Sequence, residues 1–412
     1  MKPLGPIPAE FAASQGELLI GQRTASALVK EAGGTPLFVY SRDIIAARIA
    51  AVRAAMPARV ALHYAMKANP YAPLLAWIAD QVDGLDIASG GELEAARAAG
   101  FLPREISFAG PGKRDAELEA AIAAGVTLNI ESEGEAQRAL AIGDRRSVAP
   151  RLAIRVNPAF EMRGSGMKMG GGAKPFGVDE ERVPAMVRNI VENGAHFRGF
   201  HIYAGSQALD PQAIIETQAQ VIALAARLAD DALVSVPHLN MGGGFGIPYF
   251  AKDEPLDLAP IGAALARQFA DLPPALSDTQ FAIELGRYLV GEAGVYLTRI
   301  VDRKVSHGVT YLITDGGLHH QLAASGNFGT VVRRNYPVAI ANRFDSTATE
   351  TATEEVNIVG CLCTPLDRLA DGAYLPRAQV DDIVAVFCAG AYGASASPAT
   401  FLGQGPAREL LV

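Results

Sequence analysis

The sequence predicts an α/β protein in which a barrel of eight parallel strands precedes a C-terminal antiparallel β-domain. Two patterns predict this arrangement. Short apolar runs alternate with amphipathic helical runs through residues 43–285, and eight such strand–helix units suit a (β/α)8 barrel of the TIM type. The segments that follow are rich in β-branched residues and lack helical patterns of any length, which favours antiparallel strands.

Eight candidate strands are placed by their short apolar runs. They lie at residues 61–65, 84–89, 106–109, 127–131, 151–157, 199–204, 237–241 and 280–284. Helical segments such as GELEAARAAG, DAELEAAIAAG and IIETQAQVIALAARLADD lie between them, because their apolar residues recur at i, i+3 and i+4. Strands joined through helices pair in parallel by right-handed crossovers. An open, doubly wound sheet is the alternative that this pattern leaves.

The predicted barrel covers residues 43–285, and residues 1–42 and 286–412 are assigned to a β-rich domain. Segments such as VYLTRIVDRKV, TYLITDGG and DDIVAVFCAG carry the Val, Ile, Thr and Tyr residues typical of strands. The strand-like TPLFVYS near the N-terminus lies before the barrel, so we expect it to pair within this second domain.

Composition and charge exclude several classes of function. The chain has a net charge of −8, whereas binding to a nucleic-acid backbone favours a basic face. No stretch approaches the roughly 18 apolar residues of a membrane span, and the initial MKPLGPIPAEF lacks the apolar run of a signal peptide. The three cysteines (Cys361, Cys363 and Cys388) are too few for a disulfide framework. We therefore expect a cytoplasmic protein with no nucleic-acid or membrane partner.

Polar or glycine-rich residues follow many of the predicted strands, at the end where a barrel carries its chemistry. They are Lys67 after the first strand, Asp86 and Glu92 after the second, Arg155 and Asn157 at the fifth, His201, Tyr203, Gly205 and Ser206 at the sixth, Gly242–Gly244 after the seventh, and Glu284 and Arg287 at the eighth. Packing alone does not explain so many polar or glycine residues at the carboxyl ends of the strands. The carboxyl end of the barrel is therefore predicted to hold the functional site.

Lys67 stands directly after a buried strand, between Met66 and Ala68. An unpaired charge in such a place costs free energy. Taken alone, a lysine that extends to the rim of the barrel explains this position. The functional interpretation is a Schiff-base lysine, whose pKa falls on desolvation and whose amine then attacks an aldehyde.

The glycines after the seventh strand and the carboxylate of the eighth extend that interpretation. A bare backbone at Gly242–Gly244 can approach an anion closely, and barrels commonly bind phosphate after strands seven and eight; a tight turn also explains glycines. Glu284 is explained either by a surface pair with Arg287 or by contact with a pyridine nitrogen, which it would keep protonated. No GxxxxGK[ST] loop occurs, which disfavours a nucleoside triphosphate.

Lys67, the three glycines and Glu284 together resemble the site of the fold-type III pyridoxal 5′-phosphate decarboxylases. This family includes the diaminopimelate, ornithine and arginine decarboxylases and is related to alanine racemase. The motifs HYAMKANP, LDIASGGELEAARAAG, RLAIRVNP, KPFGV, GSQ, GGGFG, ELGRYLV, CLCTPLD and GAYG occur in the family's order and spacing over nearly the whole chain. The resemblance implies an alanine racemase-like barrel, pyridoxal 5′-phosphate as cofactor, and removal of an α-carboxylate.

The resemblance also implies a role for each matching residue. Lys67 would hold the cofactor, Glu284 would meet its pyridine nitrogen, and Cys363 would return a proton to the α-carbon. The other cofactor contacts would be Asp86, Arg155, Tyr203, Ser206, Gly243, Gly244, Arg287 and Tyr392, and the substrate contacts Arg287, Arg333, Arg334, Thr364 and Asp367. Family members form head-to-tail dimers, so we expect a homodimer in which the β-rich domain completes the partner's active site, and we expect no metal.

The chain departs from the family pattern most informatively at Thr364. Diaminopimelate and ornithine decarboxylases have an acid after the cysteine, and that acid binds the distal amino group of the substrate. A hydroxyl cannot supply the charge-assisted bond that such an ammonium needs. The substrate is therefore predicted not to be a simple diamino acid. Tyr203, where many members stack a histidine, and Leu285, where proline is usual, are further departures.

The variant motifs resemble the branch that contains exosortase-associated decarboxylases and carrier-protein aminoacyl decarboxylases. The expected substrate is thus an amino acid or an aminoacyl group tethered to a carrier protein. Diaminopimelate decarboxylation and amino-acid racemisation on the same fold remain alternatives, and Tyr203 does not decide against a racemase. A protein that only binds the cofactor is a further alternative, against which the complete β-rich domain with Cys363 and Tyr392 argues.

Overall fold

Eight parallel strands form a closed barrel in the computed structural model, which describes residues 2–327, 333–345 and 352–412. The strands are β1 (Val60–Ala65), β2 (Gly84–Ile87), β3 (Ile106–Phe108), β4 (Thr127–Ile130), β5 (Arg151–Asn157), β6 (His196–Ile202), β7 (His238–Gly243) and β8 (Gln280–Leu285). Each pairs in parallel with the next. Because β8 pairs back onto β1, with Phe281 opposite Val60, the sheet is closed and the predicted barrel is confirmed over the open sheet.

Seven helices alternate with the strands of the barrel, as the 3.6-residue periodicity predicts. They are α1 (Ala72–Ile78), α2 (Gly90–Ala98), α3 (Asp115–Ala124), α4 (Glu133–Arg146), α5 (Val183–Glu192), α6 (Pro211–Ala232) and α7 (Ala259–Ala270). Side chains of Ser89, Ser132 and Asp210 cap the amino termini of α2, α4 and α6 by accepting backbone N–H bonds. Each of these three helices therefore begins at its capping residue, soon after the loop that follows the preceding strand. Three further helices lie at Ala25–Glu31, Arg42–Ala55 and Arg287–Val290.

The predicted strand bounds agree with the structure to within a few residues, and β6 differs most. It begins at His196 rather than at residue 199, because the sequence pattern treats Gly199 as a boundary. In the structure Gly199 lies inside the strand, at a β-bulge.

The chain divides into two compact units. The barrel unit comprises Ile49–Gly246 and Leu256–Gly286, and the β-unit comprises the residues up to Arg48, Ile247–Pro255 and Arg287–Val412. Short strands at Met167–Lys168, Val178–Asp179 and Gly205–Ser206 belong to the loops of the barrel unit. None of the helices in the described ranges is both long enough and apolar enough to cross a membrane.

The β-unit contains a mixed sheet. Its main path runs through Val338–Ile340, Ile383–Val386, Gly294–Ser306, Val309–Thr314, Thr353–Val359 and Arg368–Pro376, and Leu37–Tyr40 and Arg408–Leu411 extend it. A separate small sheet joins Ala12–Ser14, Glu17–Ile20 and Arg23–Thr24. Most pairs are antiparallel, as predicted, but Val309–Thr314 pairs in parallel with Thr353–Val359, and Leu37–Tyr40 with Arg408–Leu411. Long connections separate the members of each parallel pair, so the chain can return in the same direction.

Candidate active site

Lys67 lies in a 3-10 turn, Met66–Ala68, directly after β1. Its two neighbours in the turn are buried, whereas the Lys67 side chain is 48% exposed. Asn69 fixes the turn, because its N–H donates to the Met66 carbonyl and its own carbonyl accepts the Tyr64 hydroxyl at 2.9 Å. The local sequence therefore presents one ammonium at the carboxyl end of the barrel.

Glu284, near the end of β8, contacts two basic side chains. Its Oε1 lies 3.6 Å from Lys67 Nζ, and its Oε2 lies 3.0 Å from His201 Nε2. Burial alone would raise the pKa of Glu284, but the Lys67 charge and the His201 hydrogen bond outweigh it and lower the pKa to about 2. Glu284 is therefore a buried carboxylate that stays ionised at neutral pH.

His201 and Tyr203 project from the carboxyl end of β6. Because the Glu284 carboxylate is ionised, His201 donates from Nε2, and its buried Nδ1 has no hydrogen-bond partner among the described residues. The half-buried Tyr203 ring lies with its centroid 5.5 Å from Lys67 Nζ. The two residues are spaced by two, which places both on one face of an extended strand. The sequence HIY already shows this two-residue spacing, but sequence analysis alone gives no role to His201.

Asp86, near the end of β2, is buried and paired inside the barrel. Its Oδ2 lies 3.1 Å from His63 Nδ1, and its Oδ1 accepts a weak bond from Asn240 Nδ2 at 3.4 Å. Burial opposes protonation of His63, but the Asp86 charge outweighs it and raises the pKa of His63. These partners hold the Asp86 carboxylate in place.

Arg155, on β5, pairs with Glu131 at the exit of β4. Arg155 Nη1 donates to Glu131 Oε1 at 3.0 Å, and the Gly177 N–H donates to Glu131 Oε2 at 3.1 Å. Burial raises the pKa of Glu131, but the charges of Arg155 and Lys113 lower it further than burial raises it. Sequence reasoning missed Glu131, although a charged residue directly after a strand is the same pattern that singled out Lys67.

The glycines after β7 pack closely against the backbone of neighbouring segments. A Cβ on Gly243 would lie 1.9 Å from the Glu284 carbonyl oxygen. Gly244 has a φ of +78°, and a Cβ there would lie 2.3 Å from the Gly205 carbonyl oxygen. Ser206 follows Gly205 in the short strand Gly205–Ser206 and is half-buried. Close packing of neighbouring backbone therefore requires glycine at both positions, and binding of an anion by this loop stays a prediction.

In the β-unit, Arg287 lies among tyrosines. Its Nη1 donates to the Tyr249 hydroxyl at 2.7 Å, and its guanidinium carbon lies 4.7 Å from the centroid of the Tyr392 ring. Its Nε is buried and has no hydrogen-bond partner in the described part of the chain. Arg287 and Tyr392 thus contact each other within the β-unit, and their contacts with a cofactor stay predictions.

The CLCTPLD segment forms a tight loop fixed by Asp367. Asp367 is buried, and its two oxygens accept the N–H groups of Leu318 at 2.7 Å and Leu362 at 2.8 Å. Cys363 is exposed, and Thr364 is half-buried with its hydroxyl accepting the Leu366 N–H at 3.3 Å. The Asp367 carboxylate therefore positions the loop from within, and its contact with a substrate stays a prediction.

Arg333 and Arg334 both have partners inside the β-unit. Arg333 Nε lies 3.0 Å from Asp371 Oδ2, and Arg334 places its guanidinium carbon 3.6 Å from the centroid of the Phe250 ring. Their contacts with a substrate stay predictions as well.

Comparison with known proteins gives a consistent result. Residues 42–291 match the family model described as pyridoxal-dependent decarboxylase, pyridoxal binding domain. The chain is 36% identical to the L-glutamyl-(BtrI acyl-carrier protein) decarboxylase of Niallia circulans, over 92% of this chain and 88% of the relative. It is 32% identical to the diaminopimelate decarboxylase of Archaeoglobus fulgidus, over 93% and 89%. The structure of diaminopimelate decarboxylase from M. jannaschii with L-lysine has the same fold, with a TM-score of 0.87, 23% identity and coverage of 98% and 93%.

Proposed function

Since this chain belongs to the pyridoxal-dependent decarboxylase family, we propose that Lys67 and Glu284 form the centre at which it removes an α-carboxylate. The protein is a carboxy-lyase whose cofactor is pyridoxal 5′-phosphate. The observation that carries the site assignment is the 3.6 Å approach of the Lys67 ammonium to a buried, ionised Glu284 at the carboxyl end of the barrel.

The donor set of the barrel unit fits pyridoxal 5′-phosphate. Lys67 supplies an amine for the aldehyde, and Glu284 supplies an anion for the pyridine nitrogen. The turn at Gly243 and Gly244 and the Ser206 hydroxyl are proposed to meet the phosphate on the sequence resemblance, and Tyr203 offers an aromatic face. Arg287 and Tyr392 of the β-unit are proposed as further phosphate contacts on the sequence resemblance. Asp86 and Arg155 are proposed to face the ring, each held by its buried partner.

When bound, pyridoxal 5′-phosphate accepts the electron pair that the departing carboxylate leaves at the α-carbon. Glu284 would support this chemistry, because its negative charge would keep the pyridine nitrogen protonated. His201 donates to Glu284 Oε2 and so fixes the orientation of the carboxylate. Lys67 would hold the cofactor through its amine and would carry a proton at Nζ when that amine is free.

Cys363 is proposed to return a proton to the α-carbon in the active site of a second copy of the chain. Its thiol is exposed on a loop whose backbone Asp367 holds at Leu318 and Leu362. The proposed state is therefore a homodimer with shared active sites.

The substrate class follows from Thr364 and from the relatives. Thr364 offers a hydroxyl where a distal ammonium would need a carboxylate. The Niallia circulans relative is named for a glutamyl group on an acyl-carrier protein, and such a substrate has no distal ammonium. We assign this chain an amino-acid or carrier-tethered aminoacyl substrate that is not a simple diamino acid. Diaminopimelate is the second candidate, because the Archaeoglobus fulgidus relative is named for it.

Carbon dioxide release from a substrate panel tests this assignment. The panel contains a glutamyl-loaded carrier protein, free glutamate, diaminopimelate and ornithine. Release from the glutamyl group, with none above background from the two diamino acids, is the expected result. Preferred turnover of diaminopimelate would overturn the substrate class. Inversion of the α-carbon with retention of the carboxylate would show a racemase instead.

A further inference from the structure

The amino-terminal end of the barrel, opposite the proposed active site, contains a polar cavity. It has a volume of about 420 Å³ and is lined by residues at the amino-terminal ends of the strands, among them Ala61, Arg151, Arg198 and His238. Lys67 and Glu284 lie at the carboxyl ends of β1 and β8, and neither of them lines this cavity. A barrel interior is normally filled by layers of side chains, and an open space lined by arginines is therefore a feature to explain.

A β-bulge in β6 brings Arg198 to this cavity. Phe197 pairs with Leu152 and Phe200 with Ile154, so the two residues Arg198 and Gly199 oppose the single residue Ala153 of β5. Gly199 has a φ of +99°, and a Cβ there would lie 1.8 Å from the His238 carbonyl oxygen. A bulge of this kind redirects a side chain, and here only glycine permits it.

Arg151 and Arg198 have no carboxylate partner among the described residues. Each guanidinium has a buried Nε without a hydrogen bond in the described ranges. Burial and the neighbouring Arg198 charge lower the pKa of Arg151. Two half-buried cations on adjacent strands repel each other, and no carboxylate of the described residues forms an ion pair with either, which costs free energy unless an anion joins them.

The acidic residues of the same cavity have other partners. Asp83 accepts the Leu62 N–H at 2.8 Å and pairs with Arg53 at 3.0 Å. Glu105 accepts the Leu102 N–H at 3.2 Å and lies 3.6 Å from Arg104, a third arginine at the cavity. Both carboxylates are thus engaged elsewhere, and neither forms an ion pair with Arg151 or Arg198.

We propose that this cavity binds a small phosphate-type oxyanion between Arg151 and Arg198. Guanidinium groups donate paired N–H bonds that match the oxygens of a phosphate dianion, and a bound dianion would supply the missing charge. The site takes inorganic phosphate or the phosphate group of a small ester. It does not depend on the proposed reaction at the other end of the barrel.

Calorimetric titration of the holoenzyme with inorganic phosphate, at constant ionic strength set with chloride, tests this site. Bound cofactor already fills the proposed phosphate site at the glycine loop, and an unchanged visible spectrum during the titration checks this. The wild type should bind phosphate, and the double variant Arg151→Gln/Arg198→Gln should bind at least about tenfold more weakly. Arg97→Gln, on the exposed face of α2, is the matched control and should bind like the wild type.

Ala153→Glu provides a second variant in case the double variant does not fold. Ala153 lines the cavity opposite the bulge, so a glutamate there would place an internal anion beside both arginines. It should abolish phosphate binding and leave the cofactor spectrum intact. A wild-type protein that does not bind phosphate would overturn the proposal. Equal phosphate affinity in the wild type and in either cavity variant would also overturn it.

Discussion

The Lys67 ammonium lies 3.6 Å from the Glu284 carboxylate, although the two residues lie at opposite ends of the barrel sequence. Pairing of β8 with β1 closes the barrel and brings them together, with Leu285 opposite Tyr64. The nearby Lys67 charge also explains why the buried Glu284 carboxylate stays ionised, because it lowers the pKa of Glu284. With its amine holding the cofactor, Lys67 would no longer offer a free ammonium to Glu284, which would then gain from a second cationic partner. A protonated pyridine nitrogen is such a partner.

Replacing Glu284 with Gln should lower decarboxylation by about 100-fold or more, because an amide does not keep the pyridine nitrogen protonated. The cofactor should still bind through Lys67. Carbon dioxide release at saturating cofactor measures the effect. Glu94→Gln, on the exposed face of α2, is the control and should retain full activity. A Glu284→Gln enzyme with normal turnover would remove Glu284 from the mechanism.

Much of this site was predictable from residues that directly follow apolar runs. Lys67, Asp86, Arg155 and Glu284 were placed in this way, and all four lie in the barrel unit. The same pattern contains Glu131 after β4, which was overlooked because no family motif includes it.

Other features depend on contacts that one strand's sequence does not contain. The bonds from His63 to Asp86 and from His201 to Glu284 join separate strands, so they follow from barrel register and not from local pattern. Similarly, the composition of the CLCTPLD loop does not reveal that the Asp367 carboxylate faces inward to two backbone N–H groups. The parallel pairs of the β-unit depend on where long connections return.

Cys363→Ala should slow product formation and divert part of the turnover toward transamination, because the α-carbon loses its proton donor. Chromatographic separation of amine and carbonyl products measures the partition. A normal product profile would contradict the assigned role.

Mixing Cys363→Ala and Lys67→Ala chains tests whether the thiol acts across a dimer. Lys67→Ala alone should be nearly inactive and Cys363→Ala alone should be slow, whereas purified mixed dimers should regain about half of the wild-type activity, because each contains one intact site of two. Co-expression followed by tandem affinity purification supplies the mixed dimers. Absence of any recovery in verified mixed dimers would place Cys363 outside the partner's active site.

Thr364→Asp should raise carbon dioxide release from diaminopimelate by about tenfold or more, because it restores an anion for the distal ammonium. It should give no such gain with a carrier-tethered glutamyl substrate, whose distal carboxyl forms the tether and offers no ammonium. Thr364→Asn is the uncharged control and should not raise turnover of either substrate. The measurement is the ratio of kcat/KM for the two substrates, and an unchanged ratio in Thr364→Asp would show that this residue does not select the substrate.

His238 should make the protein less stable as the pH falls. Burial and the neighbouring cations lower the folded-state pKa of His238 from 6.5 to about 3. Between those values the unfolded chain binds a proton that the folded chain does not, so stability falls as the pH drops below 6.5. One such group contributes a loss of up to about 2 kcal/mol by about pH 5.

His238→Gln removes this linkage, so its melting temperature should fall less between about pH 6.5 and pH 5 than that of the wild type. Scanning calorimetry at the two pH values measures the difference. His196→Gln, at an exposed position of β6, is the control and should behave like the wild type. A His238→Gln protein with the wild-type pH dependence would show that His238 is not held neutral in the folded state.

The most direct test of the central claim is borohydride reduction of the holoenzyme followed by peptide mass mapping. Reduction fixes the cofactor to the amine that holds it. We expect one pyridoxyl group per chain on the peptide that contains Lys67, and loss of the visible cofactor absorbance in a folded Lys67→Ala variant. A label on another lysine, such as the buried Lys113, or an unchanged spectrum in Lys67→Ala, would contradict it.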